Sequence, residues 1–367
     1  RPEPAMLPAR GPLMPARRSL IPVFAIALIG LAAPACSSAC GQKVLCAVRG
    51  PINDPSNYSL RRSILSSGLS EFCHQVLTHN APLKLADASP VIGRFFPQHC
   101  AQQQLQNGDL FATLDGWGYA WTNVTKKITF TMSATVDYDQ DFRIDDDCNI
   151  YAYFRTRQLS SSNFQSHIIE APVANLLNSI TPLGDSFGRQ LVSGKLGEGF
   201  TVIRDKEGNV DFGLGTIPQG KRPSHPFDIH GADKITYENL RTEVHQNERD
   251  FIGPVEVTES GRALFVTAQV DGVPAIDILI MRKEDADTAM GLYFNYGPSG
   301  PLNSNVLASD IVPTGQQYHR TVAVPKGLYY VVLDNTPTAG GAAPPVTGFL
   351  DDRAAAVNYA VQIGDAP

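Results

Sequence analysis

The apolar positions change period several times along the 367-residue chain, and each change predicts an element. From Ser56, the residues Leu60, Ile64, Leu65, Leu69, Phe72, Val76 and Leu77 recur every three to four positions. This spacing predicts an amphipathic helix to about Leu77, with Cys73 on its buried stripe. A mixed segment from Val91 to Leu105, interrupted by Pro97, predicts a partner helix. The period then falls to two. In DLFATLDGWGYAWTN, Phe111, Trp117, Tyr119 and Trp121 share one face and Ala112, Gly116, Gly118 and Ala120 the other. From Ile128 to Ile144, Ile, Phe, Met, Ala, Val and Tyr alternate with Thr, Ser and Asp, predicting a strand ~55 Å long at about 3.3 Å per residue. Residues 145–149 turn the chain and IYAYFRTR returns, so residues 109–157 form a curved antiparallel meander with an apolar concave side.

After the meander, Val173, Leu176, Leu177, Ile180, Leu183, Phe187, Leu191, Val192 and Leu196 form one helical stripe, which Pro182 and Gly184 should kink. GFTVIRDKEGNVDFGLG reads as a hairpin. Residues 56–217 are therefore expected to form an α+β domain, a long curved antiparallel sheet packed with amphipathic helices. Residues 218–250 form a Pro- and His-bearing connector with a short polar helix around Tyr237 to Glu248. Residues 251–367 carry eight short strand patterns, VEVTE, RALFVTAQV, AIDILIMR, GLYFNYG, Val306 to Val312, YHRTVAV, GLYYVVLDN and AVNYAVQIG, which predict an all-β sandwich.

Composition supports two globular units rich in β-structure, with 43% apolar and 18% charged residues. The N-terminal stretch adds a destination. Arg17 and Arg18 precede an apolar run from Leu20 to Ala33, shorter than the ~20 residues a spanning helix needs, and this is the pattern of an export signal. Residues 1–35 are read as signal peptide and upstream tail, and residues 36–55 as a tether. Residues 1–35 hold four Arg and one Glu, so their removal takes the formal charge from −6 to −9. An acidic exported chain is a poor match for nucleic acid. Ala33-Pro34-Ala35 before Cys36 reads either as a signal-peptidase site or as an imperfect lipobox with Cys36 lipidated. The expected location is the periplasm, outer membrane or cell surface of a bacterium, with a membrane contact if a lipid anchor is present.

At GLYYVVLDNTPTAG and AVNYAVQIG, a G-x-Y strand ending in Asp-Asn-Thr is followed by a loop and a closing strand with Tyr359. This order resembles the end of GOLD-type β-sandwich domains and is similar to the bacterial pre-peptidase C-terminal sandwich. The resemblance implies a binding or tethering module that contacts a protein or surface partner.

Several clusters are candidates for chemistry. Six aspartates fall between Asp137 and Asp147. Asp137, Asp139 and Asp141 begin like a calcium loop, but Phe142 and Cys148 stand where an EF-hand needs Gly and Glu. Alternate strand positions also lie about 7 Å apart, too far to converge on one ion. These three are expected to face water, and calcium keeps a claim only on the turn Asp145, Asp146 and Asp147. Cys73, His74, His79, His99 and Cys100 could be read as zinc ligands, but in an oxidising compartment a Cys73–Cys100 disulfide joining two helices is the stronger expectation, with Cys46–Cys148 as the second bridge if four cysteines survive processing. His225, Asp228 and His230 in HPFDIH could hold a metal or assist a nucleophile. Gly188 to Leu196 fails the spacing of a phosphate loop.

Phe111, Trp117, Tyr119 and Trp121 either fill a core or line a cavity for a lipid or other apolar ligand. The sequence thus points to a non-enzymatic cell-envelope protein, binding or structural. The alternative is a secreted hydrolase or metal-dependent enzyme centred on His225, Asp228 and His230.

Overall fold

The computed structural model describes residues 44–68, 72–106, 108–122, 126–168, 194, 197–206, 209–229, 233–296, 302, 305–342 and 353–367. The signal-like stretch, Cys36, His230 and the helical stripe at 173–193 lie outside them. Helices α1 (Arg49–Asn53), α2 (Tyr58–Gly68) and α3 (Phe72–Leu77) precede strand β1 (Ala81–Lys84). The long strands β2 (Val91–Gln104), β3 (Leu110–Thr122), β4 (Lys126–Ile144) and β5 (Ile150–Ile168) follow, with the hairpin β6 (Phe200–Arg204) and β7 (Val210–Leu214). Next come β8 (Lys234–Val244), β9 (Arg249–Val257), β10 (Arg262–Asp271), β11 (Ala275–Arg282) and helix α4 (Lys283–Tyr296). The chain closes with β12 (Ala308–Pro313), β13 (Gln317–Val324), β14 (Gly327–Asp334) and β15 (Ala355–Asp365).

Strands dominate, and the expected α+β domain packed with amphipathic helices is not what forms. Residues 91–104 are a strand rather than a helix. Pro97 sits at a break in the β2–β3 register, between Pro97 and His99, where a ladder tolerates a missing N–H. Residues 237–244 are likewise a strand, because β8 pairs along its length with β15 and its sheet supplies the bonds a polar helix would make internally. The reverse error falls at GLYFNYG. Its residues 291–296 lie within α4, whose first turn carries Glu284 and Asp285, favourable charges at a helix N-terminus.

One sheet of eleven strands runs in the order β13-β10-β15-β8-β2-β3-β4-β5-β6-β7, with β1 also on β2. A second sheet runs β12-β11-β14-β9. Strands β13, β10, β15 and β8 face this second sheet across a core of Ile252, Val255, Leu264, Val266, Ile278, Val331, Leu333, Val357 and Val361. That is a β-sandwich. The meander β2 to β7 continues the larger sheet through a single parallel pairing, Val91 with Thr242, where the Thr242 hydroxyl also donates to the Val91 carbonyl at 3.2 Å.

The meander's core lies on the face opposite to the expected one. Trp117 pairs with Thr131, and Gly118 with Phe130, so the β3 aromatics share a face with the β4 threonines. The apolar β4 residues Ile128, Phe130 and Met132 instead meet the small residues of β3. Phe95, Phe130 and Phe164 pack there with Ala120 and Leu83. A Cβ at Gly116 or Gly118 would fall on a backbone carbonyl and on the Phe95 or Phe130 ring. Glycine is therefore required because rings fill the space it leaves. Farther along β4, α1 and α2 cover Phe142 and Ile144 with Ile52, Leu60 and Ile64.

Candidate functional site

The aromatic stripe of β3 meets the sandwich at the seam between the two units. Trp117 is half-buried, stacks on Phe96 at a centroid distance of 4.8 Å and takes the edge of Phe294 from α4 at 5.1 Å. Tyr119 is buried against Tyr293, and Trp121 lies flat on His245. Phe111 is half-buried. Three of the four rings thus pack against protein, the arrangement of a filled interface.

Beside them lies a buried charge cluster. Arg94 on β2, with 0% side-chain exposure, donates from Nε to Asp250 Oδ1 at 2.6 Å and from Nη2 to Asp250 Oδ2 at 3.0 Å. Its Nη1 donates to Asn80 Oδ1 at 2.7 Å and to both Glu238 carboxylate oxygens at 3.1 Å. Its Nη2 also donates to Tyr359 Oη, which in turn donates to Glu238. Tyr119 Oη donates to Asp250 Oδ1 and accepts the Phe251 N–H, both at 2.8 Å. Burial alone would make Arg94 easier to deprotonate, but Asp250 and Glu238 outweigh it and hold its proton more firmly than usual. Burial raises the Tyr119 and Tyr359 hydroxyls, with Asp250 and Glu238 adding to the rise and Arg94 opposing it. The adjoining cavity is about 10 Å³, on the order of one water. Among the described residues the polar groups of this centre satisfy one another, the chemistry of a structural network.

A second network fixes the Asp-Asn-Thr motif at the end of β14. Asp334 accepts from Thr336 N and Oγ1 through one oxygen and pairs with buried Arg249 through the other. Asn335 Nδ2 donates to Val244 O at 3.0 Å, tying the motif to the end of β8. Buried Asp277 accepts from Gly341 and Ala342 N–H. The motif organises the loops around the end of β14.

The histidine candidates divide. His225 Nδ1 faces the Asn239 carbonyl at 2.9 Å and Nε2 faces Asp211 Oδ1 at 3.2 Å. Both partners are acceptors, which favours the charged form of the ring. Burial opposes that charge, but Asp211 and the Asn239 carbonyl prevail and raise the His225 pKa. Asp211 is lowered in turn: burial works against its charge, and His225 and Arg222 overcome it. Asp228 is exposed, and the structure does not bring it to His225 as a ligand pair. Among the described residues no group of three or more His, Cys, Asp or Glu side chains is placed to hold a metal.

In the acidic turn, Asp145 accepts from Asn149 N and Nδ2 at 2.8 Å, Asp146 lies 3.4 Å from Arg49, and Asp147 is exposed. The three carboxylates are thus turned to separate tasks. Asp205 and Asn209 repeat the Asp145–Asn149 bonds in the β6–β7 hairpin, and Arg222 spans both turns by reaching Asn149 and Asp211. Of the strand aspartates expected to face water, Asp141 is buried and pairs with Arg61 at 3.3 Å, because α2 covers that end of β4.

Cys46–Cys148 and Cys73–Cys100 are both disulfides, with Cα separations of 5.3 and 5.4 Å. The second joins α3 to strand β2 rather than two helices. Disulfide pairing of these four cysteines is the chemistry of an oxidising compartment. Among the described residues no helix is long and apolar enough to cross a membrane.

Sequence reading passed over Arg94, Asp250, Asp277 and Arg249. For Arg94 and Asp277 the signal was a lone charge inside an apolar strand, in VIGRFF and AIDILI, where burial demands a partner, whereas Arg249 and Asp250 follow Glu248 in a run of charges that gives no such signal.

No family model matches the chain, and no curated protein matches it. Among solved structures it is similar to one described as "Bacillus endospore appendages form a novel family of disulfide-linked pili", at 12% identity and a TM-score of 0.21, covering 37% of this chain and 87% of that one.

Proposed function

We propose that this chain is a non-enzymatic exported module of the bacterial cell envelope, a rigid structural or adhesive unit that makes contacts through its sandwich. The observation that carries this reading is the seam. Its buried cation, Arg94, is committed to two carboxylates, an amide and a phenol drawn from four separate segments, which fixes two β units as one body. A catalytic centre would leave a polar group open to a substrate; this network closes all of them.

The reading does not extend to a bound lipid, since Trp117, Tyr119 and Trp121 pack on Phe96, Tyr293 and His245. Nor does it favour a hydrolase at HPFDIH, because both His225 nitrogens are engaged. Anchoring by lipid at Cys36 is the finer proposal for how the module is held.

Fractionation of the producing cells with thiol trapping, joined to native mass spectrometry of the purified chain, tests it. The expected result is an envelope protein with Cys46, Cys73, Cys100 and Cys148 protected from alkylation and no metal in the native mass. A cytosolic protein with free thiols, or a stoichiometric metal lost on replacing His225, would overturn the proposal.

A further inference from the structure

A second opening lies on the seam, away from the buried network. It has a volume of about 250 Å³ and is walled by Lys84 at the end of β1, by Asp87 and Ser89 after it, by Ser224 and His225 of the connector, and by Arg241 on β8. Arg241 pairs with Asn358 of β15, which completes the lining. Segments of both β units converge there, a common place for a small-ligand site.

The charge balance within it is unusual for this chain. Lys84 keeps only 12% of its side chain exposed, and its ammonium donates to the Asp87 backbone carbonyl while the Asp87 carboxylate stands 4.0 Å away. That carboxylate is 60% exposed and turned to the Ser224 N–H at 3.2 Å. Arg241 is exposed and has no ion-pair partner among the described residues. His225 also lines the wall, with Asp211 3.2 Å behind its Nε2. Burial lowers the Lys84 pKa, and Asp87 and Glu238 only partly restore it, which is the mark of an ammonium short of counter-charge. Two cationic side chains, Lys84 and Arg241, thus face one carboxylate, Asp87, in a protein whose formal charge is −6. Ser89, Ser224 and Asn358 add uncharged hydrogen-bonding groups.

We propose that this seam pocket binds a small oxyanion, a phosphate or a sugar carboxylate, held between Lys84 and Arg241 with the serines and Asn358 as hydrogen-bonding partners. The volume is below the ~300 Å³ at which drug-sized sites begin, so the ligand is one head group rather than a long chain. This site is independent of the envelope role proposed above.

Calorimetric titration of the full chain with inorganic phosphate and, separately, with glucuronate, at fixed ionic strength and pH 6.5, tests it. Saturable binding of one equivalent of either anion is expected, and the stronger of the two identifies the head group. Arg241→Gln, at an exposed position that leaves the fold intact, should weaken binding about tenfold, the loss of one charge-assisted hydrogen bond. Lys84→Met should weaken it at least as much; if that variant does not fold, Arg241→Gln alone decides. Absence of saturable binding for both anions, or equal affinity in wild type and Arg241→Gln, overturns the assignment.

Discussion

At the scale of single residues, Arg94 is the side chain whose loss should matter most. Arg94→Met leaves Asp250 and Glu238 as buried, unpaired carboxylates, and breaking one side of such a cluster costs about 3–5 kcal/mol. Arg94→Lys should recover little, because an ammonium cannot reproduce the two parallel bonds to Asp250. Urea unfolding checks both, and an unchanged midpoint in Arg94→Met would show the cluster to be expendable. His225 supplies a pH-dependent term of defined sign. Its folded pKa is raised, so the charged ring adds stability that is fully present below about pH 6.5 and is lost as pH rises through the raised value. Asp211 is lowered, so its contribution is present above about pH 3.9 and is lost as pH falls through the lowered value. Between those limits the pair is intact. Comparing wild type and His225→Gln from pH 5 to 9 should therefore show a stability difference that shrinks toward the alkaline end. A difference that stays flat across that range would refute the ion pair.

At the scale of elements, β3 decides how the meander packs. Its alternation was legible in the sequence, and so was the partition of Phe111, Trp117, Tyr119 and Trp121 from the small residues. Large rings on a strand suggest the core side, but here Phe95 and Phe130 from the neighbouring strands occupy the glycine face, and the β3 rings close the seam instead. Gly118→Val should consequently destabilise by about 1–3 kcal/mol through overpacking, whereas Thr131→Val, on the exposed side of β4, should stay within about 0.5 kcal/mol. Thermal unfolding of the two variants distinguishes the faces; equal losses would contradict this packing. Helix and strand were exchanged at β2, β8 and α4 for a related reason. Short mixed segments satisfy either period locally, and only the neighbouring strands or the sheet below determine which backbone bonds are made.

At the scale of the whole molecule, the larger sheet runs unbroken from sandwich to meander, and the Arg94 cluster bolts the same joint from within. Calorimetry of the oxidised protein should show one cooperative transition rather than one per unit, and Arg94→Met should separate them. Two resolved transitions in the wild type would mean that the seam does not couple the units.

The sequence by itself determined the long period-two strands and most strands of the sandwich, and it offered the cysteine pairing only as one expectation, which the structure then fixed. The strands rest on local alternation, whereas six cysteines can pair in many ways. Tertiary structure alone decided which face of β3 is buried, that residues 91–104 and 234–244 are strands, and that Arg94, Glu238, Asp250 and Tyr359 meet. Those contacts join residues up to 265 positions apart. A local pattern can show that a charge must be buried, but the partner that neutralises it is chosen by strand order and register, which no short stretch of chain contains.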